Sequence, residues 1–150
     1  VLTMVKVIEF IEEKRQKEVF QIEATKMDEV IDKAAFEMSR SKYALDKKIK
    51  KFIVLTETGK TARLIARFRS NLEIVAISDR KETVDKLLLT YGVRPFYYKF
   101  PRGKLHSVKG VLQFLKKQKV LNKGEIMILT HGEEWGTPGR TNTLRLQKVY

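Results

Sequence analysis

Residue types and spacing point to chemistry at one turn of this 150-residue chain, Thr56-Glu57-Thr58-Gly59-Lys60-Thr61. Thr56, Thr58 and Thr61 offer hydroxyls, Gly59 allows close backbone approach, and Lys60 supplies a positive charge. The turn follows the apolar run Phe52-Ile53-Val54-Leu55 and precedes a segment of helical periodicity. The N–H groups that a helix start leaves unpaired therefore face the same place, and together these parts suit a phosphate monoester.

A Walker nucleotide loop is excluded by one position. That pattern needs a glycine five residues before Gly59, where Val54 stands inside the apolar run. The competing reading is a capped turn with a purely structural role, since threonine and glycine are common at helix starts.

A second loop, Gly132-Glu133-Glu134-Trp135-Gly136-Thr137-Pro138-Gly139-Arg140-Thr141-Asn142-Thr143, follows the last of the continuous apolar runs. Its glycines permit a tight loop, Trp135 is placed to cover a ligand, and Arg140 is able to pair with phosphate oxygens. The candidate phosphate-binding set is thus Thr56, Thr58, Gly59, Lys60 and Thr61 with Trp135, Gly136, Thr137, Gly139 and Arg140.

No catalytic group emerges. His106 and His131 are the only histidines and neither has carboxylates at metal-ligand spacing, so no metal site is expected. Glu133 and Glu134 are adjacent on a glycine-rich loop and are assigned to solvent, because neighbours in such a loop seldom converge on one substrate. With no cysteine, the chain has no disulfide, thiolate metal site or cysteine nucleophile.

The elements that must position the turn follow from periodicity. Val1, Met4, Val5, Ile8 and Ile11 predict a helix over 1–18 that opens without a cap or initiator methionine, as expected of a piece of a longer protein. Thr25 and Asp28 have capping-box spacing before a helix that buries Met27, Val30, Ile31, Ala34, Ala35 and Met38 to about Ser41, followed by a lysine-rich loop. Phe52–Leu55, Ile74–Ile77 and Ile126–Leu129 are continuous apolar runs, the mark of strands covered on both faces.

Between them, a helix near 59–69 buries Ala62, Leu64, Ile65 and Phe68. A helix capped by Asp79 carries Val84, Leu87 and Leu88 to a left-handed Gly92, Pro95 starts a strand at Phe96–Tyr98, and a further helix aligns Val108, Val111, Leu112 and Leu115. Leu144 and Leu146 alternate with polar residues in the tail, the pattern of a half-exposed edge strand. Its short, glycine-rich connection leaves no room for a crossover helix, so the strand is expected to be antiparallel. The predicted fold is a three-layer α/β/α domain over 25–150 with a mostly parallel five-stranded sheet, preceded by a helix and connector over 1–24.

The stretch from Ile53 to Arg69, IVLTETGKTARLIARFR, resembles the first strand, effector loop and helix of the C-terminal domain of pyruvate kinase. Lys123–Thr130 and Gly139–Leu146 resemble that domain's last two strands and the loop between them, and the likeness covers about 27–149. The segment over 1–18 is similar to the last helix of that enzyme's catalytic barrel.

The resemblance implies a regulatory and subunit-contact module, inactive when isolated because the barrel that transfers phosphate is absent. It also implies a homo-oligomer, a parent phosphotransferase of glycolysis, and no intrinsic cofactor. By the same resemblance Thr56, Thr58, Gly59, Lys60 and Thr61 match the loop holding the 6-phosphate of fructose 1,6-bisphosphate in regulated members, and 135–140 matches the lid. The segment between Phe100 and Val111 is shorter than in those members and lacks their tryptophan-containing stretch. One phosphate is therefore expected and a bisphosphate is left open: either Arg102 and Lys104 substitute for the second contact, or the effector differs.

Composition sets the outer bounds. A hydrophobic fraction of 43% and a charged fraction of 33% indicate a folded domain, and no apolar run reaches the roughly 20 residues of a membrane span. A cytoplasmic protein with no membrane partner is expected. The net charge of +13 attracts phosphate-bearing partners of any kind, whether sugar phosphate, AMP, inorganic phosphate or nucleic acid. Lysines 47, 48, 50, 51, 116, 117, 119 and 123 flank apolar segments without interleaved aromatics and read as solvated faces. A basic nucleic-acid-binding module is the rival from another class, although no recognition motif supports it. A standalone sugar-phosphate enzyme is the third reading and lacks an identified base near Thr58.

Overall fold

The computed structural model describes residues 27–100, 108–132 and 141–150. The expected helix over 1–18, the cap at Thr25, Arg102, Lys104 and His106 lie outside the described residues. The elements are α1 (Met27–Arg40), α2 (Lys42–Asp46), β1 (Lys51–Leu55), α3 (Lys60–Ala66), β2 (Glu73–Ser78), α4 (Lys81–Leu87), β3 (Val93–Tyr97), α5 (Val108–Lys117), β4 (Ile126–Gly132) and β5 (Thr141–Lys148).

The five strands form one sheet in the order β3-β2-β1-β4-β5. Strands β1 to β4 are parallel, and β5 runs antiparallel to β4 at the edge. Side chains alternate across a strand. Phe52 and Val54 of β1 therefore enter one core with Ala62 and Ile65 of α3 and Leu87 of α4, while Ile53 and Leu55 enter the other with Val111 and Leu115 of α5. Two buried faces are why β1, β2 and β4 read as unbroken apolar runs.

The chain steps outward from β1 to β2 to β3 and then returns past β1 to β4. Right-handed crossovers put helices from the two directions on opposite faces. The reversal makes a topological switch point between β1 and β4, and beyond the carboxyl ends of those strands lies the crevice where ligands of such sheets bind.

Several expectations are corrected. The lysine-rich stretch after α1 contains the short helix α2, capped by Ser41, whose Oγ accepts from the Ala44 N–H at 3.2 Å. In α1 the buried residues are Asp32, Ala35, Phe36 and Ser39, at helical spacing, while Val30 is 48% exposed and Ala34 is also exposed. The inward stripe is thus turned relative to the apolar one, because a carboxylate and a hydroxyl occupy it.

The cap of α4 falls on Arg80 rather than Asp79. Arg80 accepts from the Val84 N–H at 3.1 Å through its carbonyl, and its own N–H donates to Ser78 Oγ at 3.2 Å. That helix ends at Leu87, so Leu88 lies beyond it and is exposed, although Gly92 does have a φ of +71°. Leu64 is only half-buried, unlike Ala62, Ile65 and Phe68.

Pro95 lies inside β3, not at its start. The Tyr98 N–H donates to Ser78 O at 2.9 Å, so by alternation residue 95 turns its backbone away from β2, on the open side of an edge strand where a missing N–H breaks no ladder bond. Among the lysines read as solvated, Lys51 is half-buried and its ammonium pairs with Glu125 at 2.5 Å, while Lys116 Nζ donates to the Tyr150 carbonyl at 2.6 Å.

Candidate functional site

The turn begins where β1 leaves the sheet at the switch point. Thr56 still belongs to the sheet through its N–H, which donates to Ile77 O at 3.0 Å. Its side chain then closes the turn: Oγ1 accepts from the Gly59 N–H at 2.9 Å. Gly59 has a φ of +77° and occupies the N-cap position of α3, where its carbonyl accepts from the Arg63 N–H at 3.0 Å.

Glycine is demanded there twice over. The left-handed backbone disfavours side chains, and a Cβ at Gly59 would meet Leu87 Cδ2 and Cγ at 3.1 Å. Leu87 is fully buried in the core, so a shift to make room would be felt by its packing neighbours.

A helix start leaves four N–H groups without intrahelical partners. Thr56 takes that of Gly59, and Thr58 Oγ1 approaches that of Lys60 at 3.4 Å. The remaining two belong to Thr61 and Ala62, both of them buried. Thr58 and Lys60 are exposed, whereas Thr56 and Thr61 are buried. Thr61 Oγ1 lies 2.9 Å from Thr141 Oγ1, which ties the start of α3 to the start of β5. The six-residue motif therefore divides. Thr56, Gly59 and Thr61 build the turn, and Thr58 and Lys60 present functional groups outward.

Three residues given no role by the sequence reading hold the turn in place. The Glu57 carbonyl accepts from Thr83 Oγ1 at 2.7 Å, and the Glu57 carboxylate pairs with Arg80 at 2.9 Å. Both clamps fasten the turn to the beginning of α4. Thr83 is buried on the inward side of that helix, and a hydroxyl on an otherwise inward-facing position is the signal that marks it.

Trp135, Gly136, Thr137, Gly139 and Arg140 lie outside the described residues, as do Glu133 and Glu134. The strand leading to them ends at the same edge, with Val54 of β1 paired to Thr130 of β4. His131 Nδ1 lies 3.1 Å from the Gly132 carbonyl. Among the described residues no group of three or more histidine or acidic side chains could hold a metal ion, and no helix is long and apolar enough to cross a membrane.

Comparison with known proteins bears on this geometry. Residues 19–147 match the family model described as pyruvate kinase, alpha/beta domain. The chain is 38% identical over 103 residues to a pyruvate kinase of Buchnera aphidicola from Acyrthosiphon pisum, an overlap covering 69% of this chain and 22% of that protein. It is 37% identical over 106 residues to a pyruvate kinase of Dictyostelium discoideum, covering 71% and 21%. A crystal structure of a pyruvate kinase from Cryptosporidium parvum superposes with a TM-score of 0.66 at 24% identity over 86% of this chain and 24% of the other, and supports the fold. The chain thus spans about a fifth of the length of these relatives. On the strength of the family match and of the five-stranded sheet with its antiparallel edge, this chain belongs to the pyruvate kinase alpha/beta domain family and corresponds to the C-terminal domain of those enzymes.

Proposed function

We propose that the chain is the regulatory, non-catalytic part of a pyruvate kinase, a phosphotransferase of glycolysis, and that it binds the phosphate group of an effector at the 56–61 turn. One observation carries the reading: the turn stands at the switch point with Gly59 left-handed at the N-cap of α3 and with Thr58 and Lys60 exposed. The ligand is a sugar phosphate, AMP or inorganic phosphate. Backbone N–H groups at a helix start, a hydroxyl and an ammonium together complement a tetrahedral dianion.

Binding alters activity elsewhere by population shift. An effector that favours one arrangement of neighbouring subunits changes the barrel's active site in proportion to its differential affinity for the two arrangements. That scheme makes the parent protein a homo-oligomer and leaves the isolated domain able to bind without turning over substrate.

Calorimetric titration with ribose 5-phosphate, fructose 1,6-bisphosphate, AMP and inorganic phosphate tests the proposal, repeated on Lys60→Glu and Thr58→Asp. These exposed positions accept a negative charge without disturbing the core, whereas Gly59→Asp would confound charge with the Leu87 clash. Binding in the parent chain that either variant weakens at least about tenfold, the equivalent of about 1.4 kcal/mol, supports the assignment. Equal affinity in all three chains refutes it.

A further inference from the structure

At the opposite end of the sheet, where β1 and β2 begin, the surface opens into a cleft of about 890 Å³ that the effector turn does not touch. Five bases line it: Arg40, Lys48, Lys50, Lys51 and Arg69, with Glu73 the only acid among the described lining residues. The five residues of β1, at roughly 3.3 Å each, put about 17 Å between this cavity and the turn. We infer that this cavity is a second ligand site, taking an organic phosphate with an apolar or planar body.

Charge supports a dianion. Lys51 is neutralised by Glu125, and Glu73 by Arg94 at 3.5 Å. Among the described residues no acid pairs with Lys48, Lys50 or Arg69. Bases at helix C-termini are commonly there to offset the helix dipole, and α1, α2 and α3 all end around this cavity. Each such end amounts to about half a negative charge, or about −1.5 in total, against three positive charges. About +1.5 remains, which matches the charge of about −1.5 to −2 on a phosphate monoester near neutral pH.

Backbone geometry points the same way. Lys48 at φ +50° and Arg69 at φ +47° are two of the three described non-glycine residues in the left-handed region, and both line this cavity. Each closes a helix, Lys48 N–H donating to Leu45 O and Arg69 N–H to Ala66 O, both at 3.0 Å. Glycine is the usual occupant of such positions, and here both are held by bases, as is the equivalent position at the end of α5, Lys119.

Arg69 is also held in place. Its guanidinium carbon lies 4.9 Å from the centroid of the Tyr91 ring, a cation–π contact at the rim of the cavity that restrains the group. Next to it Ser70 lines the cavity, with its Oγ turned away from solvent and without a hydrogen-bond partner among the described residues.

The wall supplies the other half of the ligand's chemistry. Phe36 and Phe68 stack with centroids 4.7 Å apart and, with Ala44, Ile49 and Leu72, form an apolar side. The volume is at the upper part of the range for small-molecule sites, roughly 300–1,000 Å³, and far exceeds a bare phosphate. The chemistry is that of a metabolite with a ring or hydrocarbon body and a terminal phosphate.

Amide-resolved NMR titration of the 150-residue chain with AMP, adenosine and inorganic phosphate as separate probes tests the inference. Saturable shifts are expected at Lys48, Arg69 and Ser70 with AMP, weaker ones at the same amides with inorganic phosphate, and with adenosine only weak shifts near Phe36 and Phe68. Arg69→Gly and Lys48→Gly remove charge while relieving the left-handed strain, so they are expected to stay folded and to weaken AMP binding at these amides about tenfold each. Lys60→Glu in the distant turn is expected to leave these shifts unchanged. Shifts confined to residues 57–62, shifts that the glycine variants do not alter, or shifts spread evenly over the basic surface and erased by salt each overturn the inference. The first of these outcomes would still leave the effector turn standing.

Discussion

Replacing Gly59 by alanine probes the turn's construction through two separable effects. A side chain at φ +77° costs about 1–2 kcal/mol. The new Cβ would lie 3.1 Å from two carbons of Leu87, which is 0% exposed, and crowding a packed core adds about 1–3 kcal/mol. Alanine restricts the unfolded chain more than glycine does and returns about 0.4–1 kcal/mol. The net expectation is a loss of about 2–4 kcal/mol, a large share of the stability of a domain this size.

Urea unfolding measures that loss, and two controls separate its parts. Gly92 and Gly124 also have positive φ, +71° and +85°, but a Cβ at either meets nothing within 4 Å. Gly92→Ala and Gly124→Ala should therefore show only the backbone effect, about 1 kcal/mol after the unfolded-state offset. In a double-mutant cycle, Leu87→Ala removes the atoms that the Gly59→Ala methyl strikes, so the pair should cost less than the sum of the single changes by about 1–3 kcal/mol. A Gly59→Ala chain no less stable than Gly92→Ala would refute the close packing of the turn on α4.

Three further predictions rest on other parts of the fold. Thr130 is fully buried and its Oγ1 has no hydrogen-bond partner among the described residues, so Thr130→Val should raise the unfolding midpoint, by the equivalent of about 1 kcal/mol; a lower midpoint would show that the hydroxyl is satisfied. Lys48→Gly should gain up to about 1 kcal/mol in urea unfolding, the left-handed cost less the unfolded-state offset, and a loss would contradict the strain. Lys86 donates to Glu82 at 2.6 Å and holds its carboxyl below the usual carboxylate range by that hydrogen bond and by its charge. Because the folded pKa is the depressed one, the pair's contribution is present above the ordinary carboxylate range and is lost as pH falls through the folded value. Lys86→Ala should move the Glu82 titration upward, as followed by carboxyl NMR shifts, and an unmoved titration would rule out the pairing.

The sheet was legible because its physics is local to each strand. Phe52–Leu55, Ile74–Ile77 and Ile126–Leu129 are apolar on both sides, and that condition alone implies a strand between two layers of helices. Less could be read where tertiary context overrides pattern. Hydropathy cannot foresee that α1 turns Asp32 and Ser39 inward while leaving Val30 exposed. Helix α2, at five residues, is too short to form without its neighbours. Pro95 argues against a strand interior until the strand order shows that β3 is an edge.

The candidate site divides along the same line. The position of the turn between an apolar strand and a helix and its need for a flexible Gly59 were visible in sequence, because both depend on adjacent residues. The roles of Thr56 and Thr61 were not. Their hydroxyls look available in the motif, but one is used on the Gly59 N–H and the other on Thr141, 80 positions away in the chain. Glu57 and Thr83 act across 26 positions, and such a pairing exists only once α4 is docked beside the turn.

A crystal structure of the chain with ribose 5-phosphate tests the central claim most directly. The phosphate is expected at the carboxyl end of β1, within about 3 Å of the Thr61 and Ala62 N–H groups and in contact with Thr58 and Lys60. A phosphate bound only elsewhere on the domain, with the 56–61 turn empty at saturating ligand, would contradict it.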